Sequence, residues 1–277
     1  MTNWHRLWQD KVVRRVRRRL RVWPAIITRG HRLLPGLLGQ GERVYTTAGG
    51  KIWLDVHQGP WVRKLALDVF EPETVAAMKD FLRPGGTFVD VGAHVGYFTL
   101  LGARLVSNTG CVVAVEPDAG NAESLRRNLA LNDYTHVRIE QVALGRETGT
   151  AELFIAADSG QHSLLARSDQ SVKVDVRTLD DLWSSNEAPP IDVIKIDVEG
   201  AELDMLRGAQ ETLRRSADVV VLMDVHPRLG VVPGEVLAEL AEVGLQAYHV
   251  RPPYRTPVTA ERCPLRLVAM RPDRQRD

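Results

Sequence analysis

The sequence predicts an α/β fold, a doubly wound and mostly parallel sheet preceded by a basic helix and a hairpin. Three observations point to it. Thr87-Phe-Val-Asp-Val91 is a short, β-branched run that leads into a glycine turn from Gly92 to Gly96, and helical spacing follows from Val95 to Val106. Strand-like and helix-like stretches alternate from there almost to the end of the chain. A second strand-like run, Val112 to Val115, closes on an acid, Glu116, twenty residues after Gly96. In an open α/β sheet that position faces the crevice outside the strand ends.

The 277 residues, 44% of them hydrophobic, suffice for a full core with a small extension. A net charge of +1 conceals an asymmetry, since residues 1–32 carry +9 and the remainder −8. Trp4, Trp8, Val12, Val16, Leu20, Trp23 and Ile27 form one apolar stripe at helical spacing, with arginines on the other faces. Pro24 kinks or ends this helix. Such a helix suits an anionic membrane surface or an acidic partner. Equally, it suits packing on the body or on a second copy in an oligomer. Nothing else in the chain supports nucleic acid. Residues 1–40 are read as this helix and a joint, and 41–277 as the main domain, with a hairpin and helix at 41–82. The two cysteines, Cys111 and Cys263, lack metal-ligand spacing and suit a reducing compartment. No apolar run reaches the roughly 18 residues that cross a bilayer, and Arg29 and Arg32 interrupt any signal-like segment. The expected location is cytoplasmic, or peripheral to the inner face of a membrane.

Within 41–82, Val44 to Val56 holds two strand-like runs around Ala48-Gly49-Gly50, and Pro72 opens a helix to about Leu82. After the glycine turn, the pattern gives strands over Cys111 to Val115 and Val137 to Ala143, with a helix over Ala119 to Leu131 between them. Thr150 to Ile155 and Val172 to Val176 make an antiparallel excursion. Ile191 to Ile196, Val219 to Met223, Ala247 to Val250 and Leu265 to Met270 complete the strands. Ala201 to Leu213 and Pro233 to Val243 are the remaining helices.

The turn reads Asp90-x-Gly92-x-x-x-Gly96, which departs from the dinucleotide fingerprint. An acid inside it repels a pyrophosphate and suits a ligand with a cationic amino group. S-adenosylmethionine therefore fits better than NAD. Glu116 can accept both hydroxyls of a ribose; Pro117 fixes the following turn, and Asn121 lies on the next helix. Asp197 emerges at the end of a buried strand across from the glycine turn. Lys195, two residues earlier, needs an acidic partner if buried.

Phe88-Val-Asp-Val-Gly-Ala-His-Val-Gly-Tyr-Phe-Thr-Leu100, Val115-Glu-Pro-Asp118 with Asn121, Arg177-Thr-Leu-Asp-Asp-Leu182 and Ile191-Asp-Val-Ile-Lys-Ile-Asp-Val-Glu-Gly-Ala-Glu202 occur in that order. The chain thereby resembles the FkbM-type S-adenosylmethionine-dependent methyltransferases. The resemblance covers about Phe70 to Pro227, and its most specific part is Lys195 to Glu202. It implies a class I, Rossmann-like methyltransferase sheet of seven strands with the last antiparallel. It also implies methyl transfer to a hydroxyl of a sugar, glycolipid, polyketide or similar small acceptor. Ser163 matches a family position near the active site. Two residues depart from the family pattern: His94 stands where Asn is usual, and Asp224 where Glu is usual.

Methylating an alcohol requires alignment and removal of a proton, by a base or by a metal that lowers the hydroxyl's pKa. Asp197, His226, His94 and His162 are the candidate bases, with Asp224 two residues from His226 and able to orient it. The expected donor-binding set is Asp90, Gly92, His94, Gly96, Glu116, Pro117, Asn121, Gln141 and Asp197, with Gln141 toward the adenine. Asp197, Asp224 and His226 form the alternative set for a divalent cation such as Mg. Two rivals stand beside O-methylation: an N-methyltransferase, and a membrane-recruited protein that keeps the fold.

Overall fold

The computed structural model describes residues 41–155, 170–185 and 188–276. The expected basic helix and joint, and His162 and Ser163, lie outside the described residues. Two compact units divide the chain at Pro72 and Glu73.

In the first unit, β1 (Glu42–Thr47) and β2 (Gly50–Asp55) pair antiparallel around Ala48-Gly49, as the hairpin pattern predicts. Helix α1 (Pro60–Ala66) packs on them and is absent from the sequence pattern. Its seven residues are too few to display a period, although Pro60 at its first turn is an ordinary start signal.

The second unit holds α2 (Pro72–Phe81) from its second residue on, then β3 (Thr87–Val91), α3 (Tyr97–Val106), β4 (Cys111–Val115), α4 (Ala119–Ala130) and β5 (Val137–Glu140). Short β6 (Ala143–Leu144), β7 (Gly149–Phe154) and β8 (Ser171–Arg177) form a separate three-stranded sheet in the order β6-β8-β7. There follow α5 (Leu179–Leu182), β9 (Val193–Ile196), α6 (Glu202–Arg207), α7 (Gln210–Arg215), β10 (Val220–Asp224), α8 (Pro233–Glu242), β11 (Gln246–His249) and β12 (Arg266–Met270). The main sheet has seven strands in the order β11-β12-β10-β9-β3-β4-β5. Strands β10, β9, β3, β4 and β5 run parallel, whereas β12 runs antiparallel to both of its neighbours. This is the expected architecture.

Every residue of β3, β9 and β10 is buried, which is why they read as continuous apolar runs rather than alternating ones. The chain leaves β3 toward β4 and returns later to place β9 on the other flank of β3. Strand order thus reverses between β3 and β9, and a crevice opens at their carboxyl ends.

Most element boundaries fall within two residues of the sequence pattern, and two elements differ by more. The strand expected over Val137 to Ala143 stops at Glu140, because Ala143 and Leu144 pair in parallel with Val176 and Arg177 of β8 instead. The single helix expected over Ala201 to Leu213 divides at Gly208. There a Cβ would lie 2.0 Å from the carbonyl oxygen of Gly145, and the Gly208 carbonyl accepts from Asp180 N–H at 3.0 Å. The Asp180 carboxylate then accepts from the N–H groups of Glu211 and Thr212 at the start of α7.

Candidate active site

Three strand ends meet in the crevice. The N–H groups of Gly92 and Ala93 both donate to the carbonyl of Val115 at 3.0 Å, tying the end of β3 to the end of β4. Asp197 N–H donates to the carbonyl of Val91 at 3.0 Å, tying the end of β9 to β3. Gly92 has φ +80, and a Cβ there would lie 1.9 Å from the Asp197 carbonyl oxygen. Only glycine permits that approach. His94 also adopts left-handed φ, at 52°.

Glu116 holds the turn from the β4 side. Its carboxylate accepts from His94 N–H at 2.7 Å, from Asp118 N–H at 3.0 Å and from Asn121 Nδ2 at 3.3 Å. It is almost fully buried, and burial pushes its pKa up to about 7 against the opposing effect of those donors. A carboxylate has about four acceptor positions, so capacity remains for a polar ligand. Asp118 caps α4 through Asn121 N–H at 2.8 Å, and Asn128 Nδ2 donates to the Val95 carbonyl at 2.8 Å. Asp90 turns inward: its Oδ2 accepts from Thr99 Oγ1 at 2.6 Å, while buried Oδ1 has no hydrogen-bond partner. Burial raises its pKa, with Lys195 opposing. Pro117 is half-buried at the turn into α4. Gln141 is exposed, and its Oε1 accepts from Arg126 at 3.0 Å.

The β9 and β10 side of the crevice is a charged cluster. Lys195 is 2% exposed, with Nζ 3.0 Å from Asp197 Oδ2, 4.0 Å from Asp224 Oδ2 and 4.8 Å from the Phe98 ring centroid. The acidic partner anticipated for it is present. Burial would raise the pKa of Asp197, but the Lys195 and His226 charges outweigh it and hold the carboxyl below its ordinary value. Asp224 moves the other way, raised by burial and by the neighbouring Asp197.

His226 sits among three acids. Nδ1 bonds to Glu202 Oε1, while Nε2 lies 3.5 Å from Glu199 Oε2 and 3.7 Å from Asp197 Oδ1. Burial opposes charging of the ring, yet the Glu202 bond and the Glu199 and Asp197 charges prevail and raise its pKa to about 9. Glu199, in left-handed φ at 45°, is raised to about 7 by burial and by the surrounding acids.

This arrangement corrects two expectations. Asp224 does not orient His226, because its Oδ1 accepts from Arg266 Nε at 2.7 Å across the antiparallel β10–β12 pair. Nor do Asp197, Asp224 and His226 converge as one cation set. The atoms of Asp197, Glu199 and His226 do lie close enough to share an ion. Alternation would have put Asp224 and His226 on one side, but the strand ends at Asp224 and the backbone turns at His226. In the sequence alone, Glu199 and Glu202 are simply acids suited to a helix start. Their spacing of three residues at a strand-to-helix corner is the available signal that both reach one neighbour.

A sequence profile described as the methyltransferase FkbM domain matches residues 90–246. Methyltransferase 1 of Beauveria bassiana is 29% identical over 145 residues, 44% of this chain and 58% of that protein. Hexuronic acid methyltransferase AglP of Haloferax volcanii is 26% identical over 235 residues, 82% of this chain and 88% of that protein. Among solved structures, an SAM-dependent O-methyltransferase from Thermotoga maritima aligns with a TM-score of 0.42 and 14% identity, covering 73% of this chain and 66% of that one. The profile spans more than half of the sequence and takes in both walls of the crevice, and the chain belongs to the FkbM methyltransferase family.

Proposed function

We propose that this chain is an S-adenosylmethionine-dependent O-methyltransferase that acts on a hydroxyl of a sugar, glycolipid or other secondary metabolite. The observation that carries the reading is the junction of buried Glu116, the side-chain-free Gly92 turn and Asp197 at three adjoining strand ends. Glu116 and Asn121 would hold the ribose, and Gly92, His94 and Gly96 would line the donor. The acids around Lys195 and His226 outnumber the cations, which suits a positively charged sulfur. Bound there, the donor supplies a methyl group on a cationic sulfur, an electrophile that needs no further activation.

The protein's remaining tasks are to align the acceptor and to take its proton. His226 Nε2, half-exposed beside Asp197 and Glu199, is the base that this reading assigns. Without a ligand the ring is held as imidazolium by the three acids. The donor's cationic sulfur beside Asp197 and Glu199 would offset their charge and lower the ring's basicity, so that Nε2 can take a proton. The Haloferax relative's name, a hexuronic acid methyltransferase, supports a sugar acid as the first acceptor to try.

Titration calorimetry with S-adenosylmethionine tests the donor site. Glu116→Ala is expected to weaken binding by about 100-fold, through loss of a charge-assisted hydrogen bond to the ribose and of the His94 and Asp118 N–H bonds that hold the turn. Undiminished affinity would sink the assignment. Methyl-labelled donor with p-nitrophenyl β-D-glucuronide then tests the acceptor class, read as a base-stable methyl ether on the sugar.

A further inference from the structure

Glu202 is wholly buried, although it opens a helix, a place where acids ordinarily stay in water. Its Oε1 accepts from Gly200 N–H at 3.2 Å and bonds to His226 Nδ1. Its Oε2 is buried without a hydrogen-bond partner. Keeping a carboxyl group in such surroundings is unfavourable, and a neutral side chain of the same shape would support the helix more cheaply. The neighbours of the imidazole show what the carboxyl does. Asp224, the acid nearest in sequence, is engaged by Arg266. Asp197 and Glu199 meet the ring at Nε2, at 3.7 and 3.5 Å, longer than an ordinary hydrogen bond. Glu202 alone of these acids bonds Nδ1.

We infer that Glu202 is the positioning residue for His226: it fixes the proton on Nδ1 and presents Nε2 to the acceptor hydroxyl. The inference rests on the reading of His226 as the base. In the transfer, the acceptor's O–H bond breaks and its proton passes to Nε2. The oxygen bonds the methyl carbon, and the electron pair of the breaking C–S bond stays on sulfur, leaving a neutral thioether. The ring becomes an imidazolium whose Nδ1–H remains on Glu202. This is the nucleophile–base–orienter relation familiar from other enzymes, with a helix-opening glutamate as orienter.

The test uses the full chain and the variants Glu202→Gln, His226→Gln and the double variant. Nitrogen-15 spectra of the histidine rings need no acceptor. The His226 signals, assigned by their loss in H226Q, are expected to show a far-downfield Nδ1–H proton that moves upfield in E202Q. A wild-type ring without that proton, or one unchanged in E202Q, overturns the inference. With S-adenosylmethionine and p-nitrophenyl β-D-glucuronide, E202Q is expected to lower kcat on the order of 100-fold while KM for the donor stays within about twofold. In the H226Q background the same change should have no further effect. Multiplying effects would make Glu202 an independent strut. An H226Q variant with undiminished kcat would instead sink the base reading, and the ring spectra would still decide whether Glu202 orients the imidazole.

Discussion

Three acids converge on the one ring of His226 and set its charge. If Nε2 is the base, only the neutral ring works. With a pKa of about 9, the ring is protonated across the neutral range, so below that value the neutral fraction rises tenfold with each unit of pH. At subsaturating donor, kcat/KM is therefore expected to rise with pH, with unit slope above about pH 7, where Glu116 and Glu199 have ionised, and to level off near pH 9. The rising limb of kcat should lie at lower pH, since the donor's charge offsets the acids. Initial rates across that range check both limbs, and H226Q should abolish the slope. Gly92, Glu116 and Asp197 are legible in the sequence, because position at a strand end follows from periodicity and chain order alone. The partners of His226 are not. Asp224 is claimed by Arg266, 42 residues away, through a cross-strand register that no local pattern encodes.

The helix break at Gly208 shows the same limit at the level of elements. Apolar spacing runs on through Leu213, so the sequence reads as one helix. What divides it is tertiary: the Gly145 carbonyl fills the space beside Gly208, and Asp180 from α5 caps the N-terminus of α7. Asp180→Ala is expected to cost about 1 kcal/mol, the usual loss for an N-cap, read as a lower urea midpoint with an unchanged slope. Donor affinity should not change, because none of the donor-site residues named above lies on α7. The fully buried strands are the easiest elements to find, since a run such as Val193-Ile-Lys-Ile196 is apolar at all but one position. Helix α1 and strand β6 escape the pattern because segments of seven and two residues carry no period.

Across the whole chain, charge is divided between +9 in residues 1–32 and −8 in the rest. If the basic segment meets an anionic surface, the full chain should sediment with phosphatidylserine-containing vesicles at low salt and dissociate as salt rises. A chain lacking residues 1–32 should stay in the supernatant; binding by both forms, or by neither, would make the segment a packing element. No helix among the described residues is long and apolar enough to cross a membrane. The seven-stranded order is legible because alternating strands and helices admit few right-handed arrangements. The one reversed strand has a further effect. Since β12 runs against β10, its first residue, Arg266, lies beside the last residue of β10. The C-terminal strand thus delivers a counter-ion to the crevice from a part of the chain with no motif of its own. An Arg266→Ala chain would leave Asp224 to share Lys195 with Asp197, so β12 takes part in the charge balance of the crevice as well as in the sheet.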